Sequence, residues 1–184
     1  MENKIIIKGK VINMSYRHNV SLANRDALIL MVSSDVNGKK IHNNIIFLKD
    51  IKELFNFAKN VKKEQVITVE CDAVNSSDGV VASKVLNDDS ITVFQIFGKV
   101  TSYNIKSGST NGKEWMRGEC EVETNSGTFK FLTWGNKLNS TIMNNKDNSL
   151  IFKGYTKICY NQIYDTYYTD IIIDEVTVAE AQNA

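Results

Sequence analysis

The sequence predicts an all-β protein with one short helix per domain, built as two tandem five-stranded Greek-key barrels. Three observations predict it. Short runs rich in Ile, Val, Thr and aromatic residues recur between Gly, Asn and Asp turn signals. The apolar period switches from two to about 3.6 at only two places along the chain. The order of elements in the first half recurs in the second.

Ile5 to Met14 reads as the first strand, and Ser15 to Arg25 is expected to form a polar loop. Ala27 to Ser33 is the second strand. Asp35-Val36-Asn37-Gly38 supplies an Asn-Gly hairpin turn into a third, Ile41 to Leu48. From Asp50 the apolar residues Ile51, Leu54, Phe55, Ala58 and Val61 recur at helical spacing. Strands resume at Val66 to Cys71 and Val80 to Leu86, joined across Ser76-Ser77-Asp78-Gly79. The second half follows suit. Strands are expected at Ile91 to Tyr103, Trp115 to Thr124 and Gly127 to Trp134, then a short helix at Leu138, Ile142 and Met143, then strands at Leu150 to Tyr160 and Tyr168 to Val178. The triplet Gly9-Lys10-Val11 returns as Gly98-Lys99-Val100 at the equivalent place. A composition break at Asn87-Asp88-Asp89-Ser90 puts the expected boundary between a first domain, residues 1–88, and a second, residues 89–184. Five strands with a helix between the third and fourth is the order of the OB-fold, a small barrel that binds oligonucleotides or oligosaccharides across one face.

Composition narrows the function classes. A net charge of +1 announces no global basic field, so any nucleic-acid contact must rest on local positive charge. No apolar run is long enough to span a bilayer, and no membrane partner is expected. The start, Met1-Glu2-Asn3-Lys4-Ile5-Ile6-Ile7, lacks the h-region of a signal peptide. A cytoplasmic protein is expected, of a bacterial cell or of a phage or plasmid acting in its host. Cys71, Cys120 and Cys159 form no C-x-x-C pair, and His18 and His42 stand far apart, so no metal site and no cofactor is expected. With neither a phosphate-binding Gly-rich loop nor a nucleophile elbow, the chain reads as a binder and not an enzyme. Glu119, Glu121 and Glu123 alternate along one strand and read as a solvated face.

The aromatics locate the binding surface. Before residue 93 there are only Tyr16, Phe47, Phe55 and Phe57, whereas both tryptophans and six of the seven tyrosines follow it. Candidate stacking residues are Trp134, Trp115, Tyr160, Tyr155, Tyr164 and Tyr167, with Tyr103 on the first strand of that half. Basic residues are interleaved: Lys106, Lys113, Arg117, Lys130, Lys137, Lys153 and Lys157. In the first half, Tyr16, Arg17, Lys39 and Lys40 could track phosphates, and the apolar run Ala27 to Val32 could serve as an interface strand. In the strand Thr128 to Trp134, Thr128, Lys130, Leu132 and Trp134 point one way while Phe129, Phe131 and Thr133 point the other. Trp134 is then either a stacking platform or a plug at the end of a barrel, and the tyrosines either stack bases or only satisfy strand propensity.

The second half resembles the bacterial single-stranded DNA-binding protein family over about residues 91–178. The residues that carry the likeness are Phe131-Leu132-Thr133-Trp134-Gly135-Asn136-Lys137-Leu138, then Leu150-Ile151-Phe152-Lys153-Gly154-Tyr155, then Thr169-Asp170-Ile171-Ile172-Ile173-Asp174. The resemblance implies that Trp134 stacks on bases and that Tyr160 does likewise. That family carries one barrel and an acidic, aromatic tail. This chain reads as two barrels ending at Val178 to Ala184, so recruitment through such a tail is not expected. The tandem plan is similar to replication protein A subunits and to phage or plasmid single-strand binders. The expected function is largely sequence-independent binding of single-stranded DNA in replication, recombination or transfer. The expected partners are single-stranded DNA, replication or recombination proteins, and a second copy of the chain. RNA binding, or an adaptor role docking other proteins in a phage particle or replisome, is the alternative.

Overall fold

The structure, a computed structural model, describes residues 3–20, 25–72, 78–87 and 92–179. Its elements are β1 (Lys4–Val20), β2 (Arg25–Val36), β3 (Lys39–Leu48), α1 (Lys52–Asn60), β4 (Val66–Asp72), β5 (Val80–Leu86), β6 (Val93–Thr110), β7 (Lys113–Thr124), β8 (Gly127–Trp134), α2 (Asn136–Asn145), β9 (Ser149–Asn161) and β10 (Thr166–Val178). This is the β-β-β-α-β-β order twice over. Among the described residues no helix is long and apolar enough to cross a membrane.

The first barrel closes in the order β1, β2, β3, β5, β4 and back to β1, with β3 and β5 parallel through Ile45 opposite Val80. The second closes as β6, β7, β8, β10, β9 and back to β6, with β8 and β10 parallel through Ile172 opposite Leu132. The same strand order, with its parallel pair at the same position, makes both OB-folds. The chain divides into two compact units. One holds Lys4–Phe94 with Thr156–Asp170, and the other holds Gln95–Tyr155 with Ile171–Ala184 and Met1–Asn3. The boundary expected at 88/89 lies outside the described residues, as do Ser76 and Ser77 of the expected turn.

Each barrel is held by the face its alternation buries. In the second, Phe129, Phe131, Phe152, Ile96, Leu150 and Ile173 are buried, and Phe131 lies 5.2 Å from Phe152 between ring centroids. Each such side chain contributes about 1.5–3 kcal/mol by leaving water. In the first, Leu28, Leu30, Ile45 and Phe47 fill one side of β2 and β3, while Val20, Ala27, Ile29, Ile46, Leu48 and Val81 form a contiguous cluster on the other. The run Ala27 to Val32, a candidate interface strand by its sequence, is therefore core material, with only Met31 partly exposed.

The recurring Gly-Lys-Val triplet has a steric reason. A Cβ on Gly9 would collide with the Ser33 carbonyl oxygen, and one on Gly98 with that of Glu123. At both places the neighbouring strand crosses so closely that only glycine fits. A register shift follows each, between Val11 and Asn13 and between Val100 and Ser102.

Two stretches without a strand pattern are strand. Most of Ser15 to Arg25, expected as a loop, continues β1 and pairs with β2, with Tyr16 opposite Leu28 and Arg17 opposite Ala27. Asn13 to Asn19 are all exposed, so no alternation marks them as a strand. Likewise Asn104 to Glu114 belongs to β6 and β7, which meet at Asn111-Gly112 with φ of 52° and 74°. Positive φ at both central residues is the hairpin geometry that Asn-Gly favours.

Candidate nucleic-acid interface

The face begins with β8. Phe129, Phe131 and Thr133 point into the barrel and are buried, which turns Thr128, Lys130, Leu132 and Trp134 outward. Gly135 then takes φ +90° and starts α2, leaving Trp134 at the strand's end with 48% of its surface exposed. Its indole lines a cleft of about 460 Å³ together with Lys137, Leu138, Thr141, Asp174 and Val176. Half-exposure and an open cleft distinguish Trp134 from a buried barrel plug.

Strand register assembles the rest. Lys106 on β6 lies opposite Arg117 on β7, and Arg117 lies opposite Trp134 on β8. The three side chains form one row across three strands, with the Arg117 guanidinium 5.9 Å from the Trp134 ring centroid. Two residues along the same face of β7, Trp115 is opposite Gly108. Its ring lies against that glycine, where a Cβ would come 2.7 Å from Cζ2. Its Nε1–H donates to Thr110 Oγ1 at 3.2 Å. Glycine at position 108 is what lets the indole lie flat across the hairpin. Trp115, 38% exposed, is the diagonal neighbour of Trp134, about 7–8 Å away along the sheet.

Glu119 and Glu121 stand on this same face. Glu119 Oε1 accepts from Lys106 Nζ at 2.9 Å and from Arg117 Nη2 at 2.6 Å. Glu121 Oε1 lies 2.5 Å from Lys130 Nζ, directly across the strands. Lys106, with Arg117 adding, holds the Glu119 carboxyl below the usual carboxylate range against the opposing effect of burial. The acidic alternation is thus not a merely solvated face. Glu119 and Glu121 hold three of the cations interleaved with the aromatics, Lys106, Arg117 and Lys130. Lys113 and Lys137 are exposed and make no ion pair among the described residues.

Two residues expected on the surface sit otherwise. Tyr103 is half-buried and donates its hydroxyl to the Oδ1 of buried Asn139, which also accepts from Thr133 Oγ1 at 2.6 Å. Burial pushes the Tyr103 hydroxyl's pKa up. Tyr103 therefore braces β6 against α2 and does not join the face. Tyr155 on β9 is also half-buried, outward of Phe152 and two residues from Lys153, which pairs with Glu175 at 3.0 Å.

The remaining candidates belong to the other compact unit. Tyr160, Tyr164 and Tyr167 lie in the Thr156–Asp170 segment, which groups with the first barrel's residues. The Tyr160 and Tyr167 rings are 5.0 Å apart, and the Tyr160 hydroxyl donates to Asp165 at 2.6 Å, which pushes its pKa up. Tyr164, Tyr167 and Ile163 are 74%, 71% and 85% exposed. The segment is joined to β3 where Thr156 donates to buried Asn43, whose Nδ2 donates to Ser34 at 3.2 Å. Tyr16 donates to Asp26 at 2.9 Å and meets His18 and Phe55 edge-on. The Tyr16 hydroxyl, with Lys49 and His18 adding, draws the Asp26 carboxyl down to about 2. Arg17 pairs with Asp78 at 3.4 Å, whereas Lys39 and Lys40 follow the Asn37-Gly38 turn at the start of β3, exposed.

Sequence reasoning missed Glu119 and Glu121 as members of the face, and Asn139 and Thr133 as the partners that turn Tyr103 inward. The spacing of 117, 119, 121 and of 130, 132, 134 is a usable signal once β7 and β8 are paired.

No protein-family model and no curated protein matches the sequence. Solved structures do. The chain is similar to the wild-type single-stranded DNA binding protein from Thermus aquaticus, with a TM-score of 0.60 and 14% identity over 100% of this chain and 95% of that one. A deletion mutant of the same protein gives the same TM-score and identity over 97% and 94%. At this identity the likeness is one of fold.

Proposed function

We propose that the chain is a single-stranded DNA-binding protein, largely sequence-independent, that protects or presents single strands in replication, recombination or transfer. The observation that carries the reading is the pair of half-exposed tryptophans, Trp134 and Trp115, on one face of β7 and β8 beside basic side chains. Bases stack on the two indoles, each stack contributing about 1–3 kcal/mol without reading sequence. Lys113 and Lys137, which make no ion pair among the described residues, hold the backbone. The fold-level likeness to a Thermus aquaticus single-stranded DNA binding protein supports the same ligand class.

Titration of intrinsic tryptophan fluorescence with oligo-dT tests this. Stacking on Trp134 or Trp115 quenches the emission. Absence of quenching at low salt would sink the reading. Competition between matched DNA and RNA oligonucleotides decides the sugar preference.

A second reading, an adaptor that docks other proteins, is favoured by one observation. The tip formed by Ile163, Tyr164 and Tyr167 is apolar and exposed. Under that reading oligo-dT binding is weak and lost at modest salt, while a protein partner co-purifies.

A further inference from the structure

We propose that Glu119 and Glu121 are specificity-determining residues, which make the face of the second barrel discriminate against duplex DNA and other polyanions by occupying the cations that a backbone-only ligand needs. The inference rests on the single-strand reading above and deepens it.

First, the carboxylates are built into the row of cations. Glu121 is opposite Lys130 by register, and Glu119 is two residues from Arg117 on the same face of β7. One oxygen of Glu119 serves both Lys106 and Arg117. Backbone pairing therefore fixes each carboxylate beside its cation. Second, a phosphate that takes Arg117, Lys106 or Lys130 must displace a carboxylate and then remain next to it, like charge beside like charge. The Lys106–Glu119 and Lys130–Glu121 pairs are solvent-exposed, the Arg117–Glu119 pair is only part-buried, and each is individually weak, so they bias binding without forbidding it. Third, ligands differ in what they recover. A single strand can lay unstacked bases on Trp134 and Trp115, which offsets the displaced ion pairs. A duplex, whose bases are already stacked on one another, or a sulfated polysaccharide, which has none, meets the same displacement with no stacking in return. Disfavouring the wrong ligand as well as favouring the right one is how close competitors are separated.

The test uses the full chain and four variants: Glu119→Gln, Glu121→Gln, the double variant, and Glu123→Gln. Glu123 lies on the same strand, and its carboxylate makes no ion pair among the described residues. Fluorescence anisotropy against labelled oligo-dT and a matched duplex, over a salt series, gives the single-strand to duplex affinity ratio and the salt slopes. Heparin competition gives the polyanion arm. In the double variant the ratio falls on the order of tenfold, and the duplex salt slope steepens by about 0.9 for each additional phosphate that the freed cations neutralise. Oligo-dT affinity changes less than duplex affinity. Glu123→Gln leaves the ratio as in the wild type, and native thermal melts establish that the variants fold.

An unchanged ratio and slope in a folded double variant, with wild-type quenching by oligo-dT intact, overturns the role of the glutamates alone. An equal shift from Glu123→Gln overturns it too, because net charge would then suffice. Failure of the wild-type chain to bind oligo-dT overturns this inference together with the reading beneath it.

Discussion

Replacing Trp134 by alanine separates a binding platform from a structural plug, because the structure assigns the two roles different magnitudes. With 48% of its surface exposed, Trp134 buries about half of a large side chain, on the order of 100 Å². At about 25 cal/mol per Å² the upper bound on lost burial is about 2.5 kcal/mol. Compactness of the unfolded chain lowers it to about 1.5–2 kcal/mol, and the contact with Arg117 is part of that total. A fully buried tryptophan would cost about 3–5 kcal/mol. Trp134→Ala should therefore lower the melting temperature by about 3–8 °C. Loss of one stacked base costs about 1–3 kcal/mol, an affinity loss of roughly 5-fold to 150-fold for oligo-dT. Anisotropy titration at fixed salt reads the second quantity and a circular-dichroism melt the first. Trp134→Phe keeps a ring and should recover most of the affinity. A stability loss above about 3 kcal/mol with unchanged affinity of the folded fraction would refute the reasoning.

Other outcomes follow from particular contacts. Gly98→Ala puts a methyl group into the Glu123 carbonyl oxygen, and should destabilise the second barrel by about 1–3 kcal/mol in urea unfolding. Tyr103→Phe removes a donor to buried Asn139. It should cost about 1–3 kcal/mol in stability while leaving oligo-dT affinity at the wild-type value, as expected of a bracing residue. Asp26, held at about 2 against an ordinary 3.8, binds protons more weakly folded than unfolded. Its contribution to stability is thus fully present above about pH 4 and is lost as pH falls toward 2. Asp26→Asn should flatten that part of an acid-unfolding profile.

The fold is legible in the sequence wherever one face of a strand is buried. In β8, Phe129 and Phe131 alternate with Lys130 and Leu132, and period two is unmistakable. Where no face is buried, as from Asn13 to Asn19, the same backbone ladder leaves no trace in side-chain chemistry and reads as a loop. The Asn111-Gly112 turn carries the same dipeptide as Asn37-Gly38, but the flanking Ser, Gly and Thr of β6 lack the hydrophobic pattern that makes such a turn readable. The site divides similarly. Trp134 and Trp115 can be named from their types and neighbours. The inward turn of Tyr103 depends on Asn139, 36 residues away. The grouping of Thr156–Asp170 with the first barrel's residues depends on contacts such as that between Thr156 and Asn43, 113 residues apart. No local pattern encodes partners so distant.

The two indoles also differ in the backbone that carries them. β7 outruns β8, so Lys113 to Trp115 pair with β6 alone, while Trp134 sits where β7, β8 and the start of α2 meet. A two-stranded ribbon with few apolar contacts opens far more cheaply than the barrel to which it is attached. The two indoles thus stand on backbone of different support. Trp134 is carried by the barrel wall itself, whereas Trp115 is carried by a two-stranded ribbon, held there by the β6 ladder, its contact with Gly108 and its hydrogen bond to Thr110.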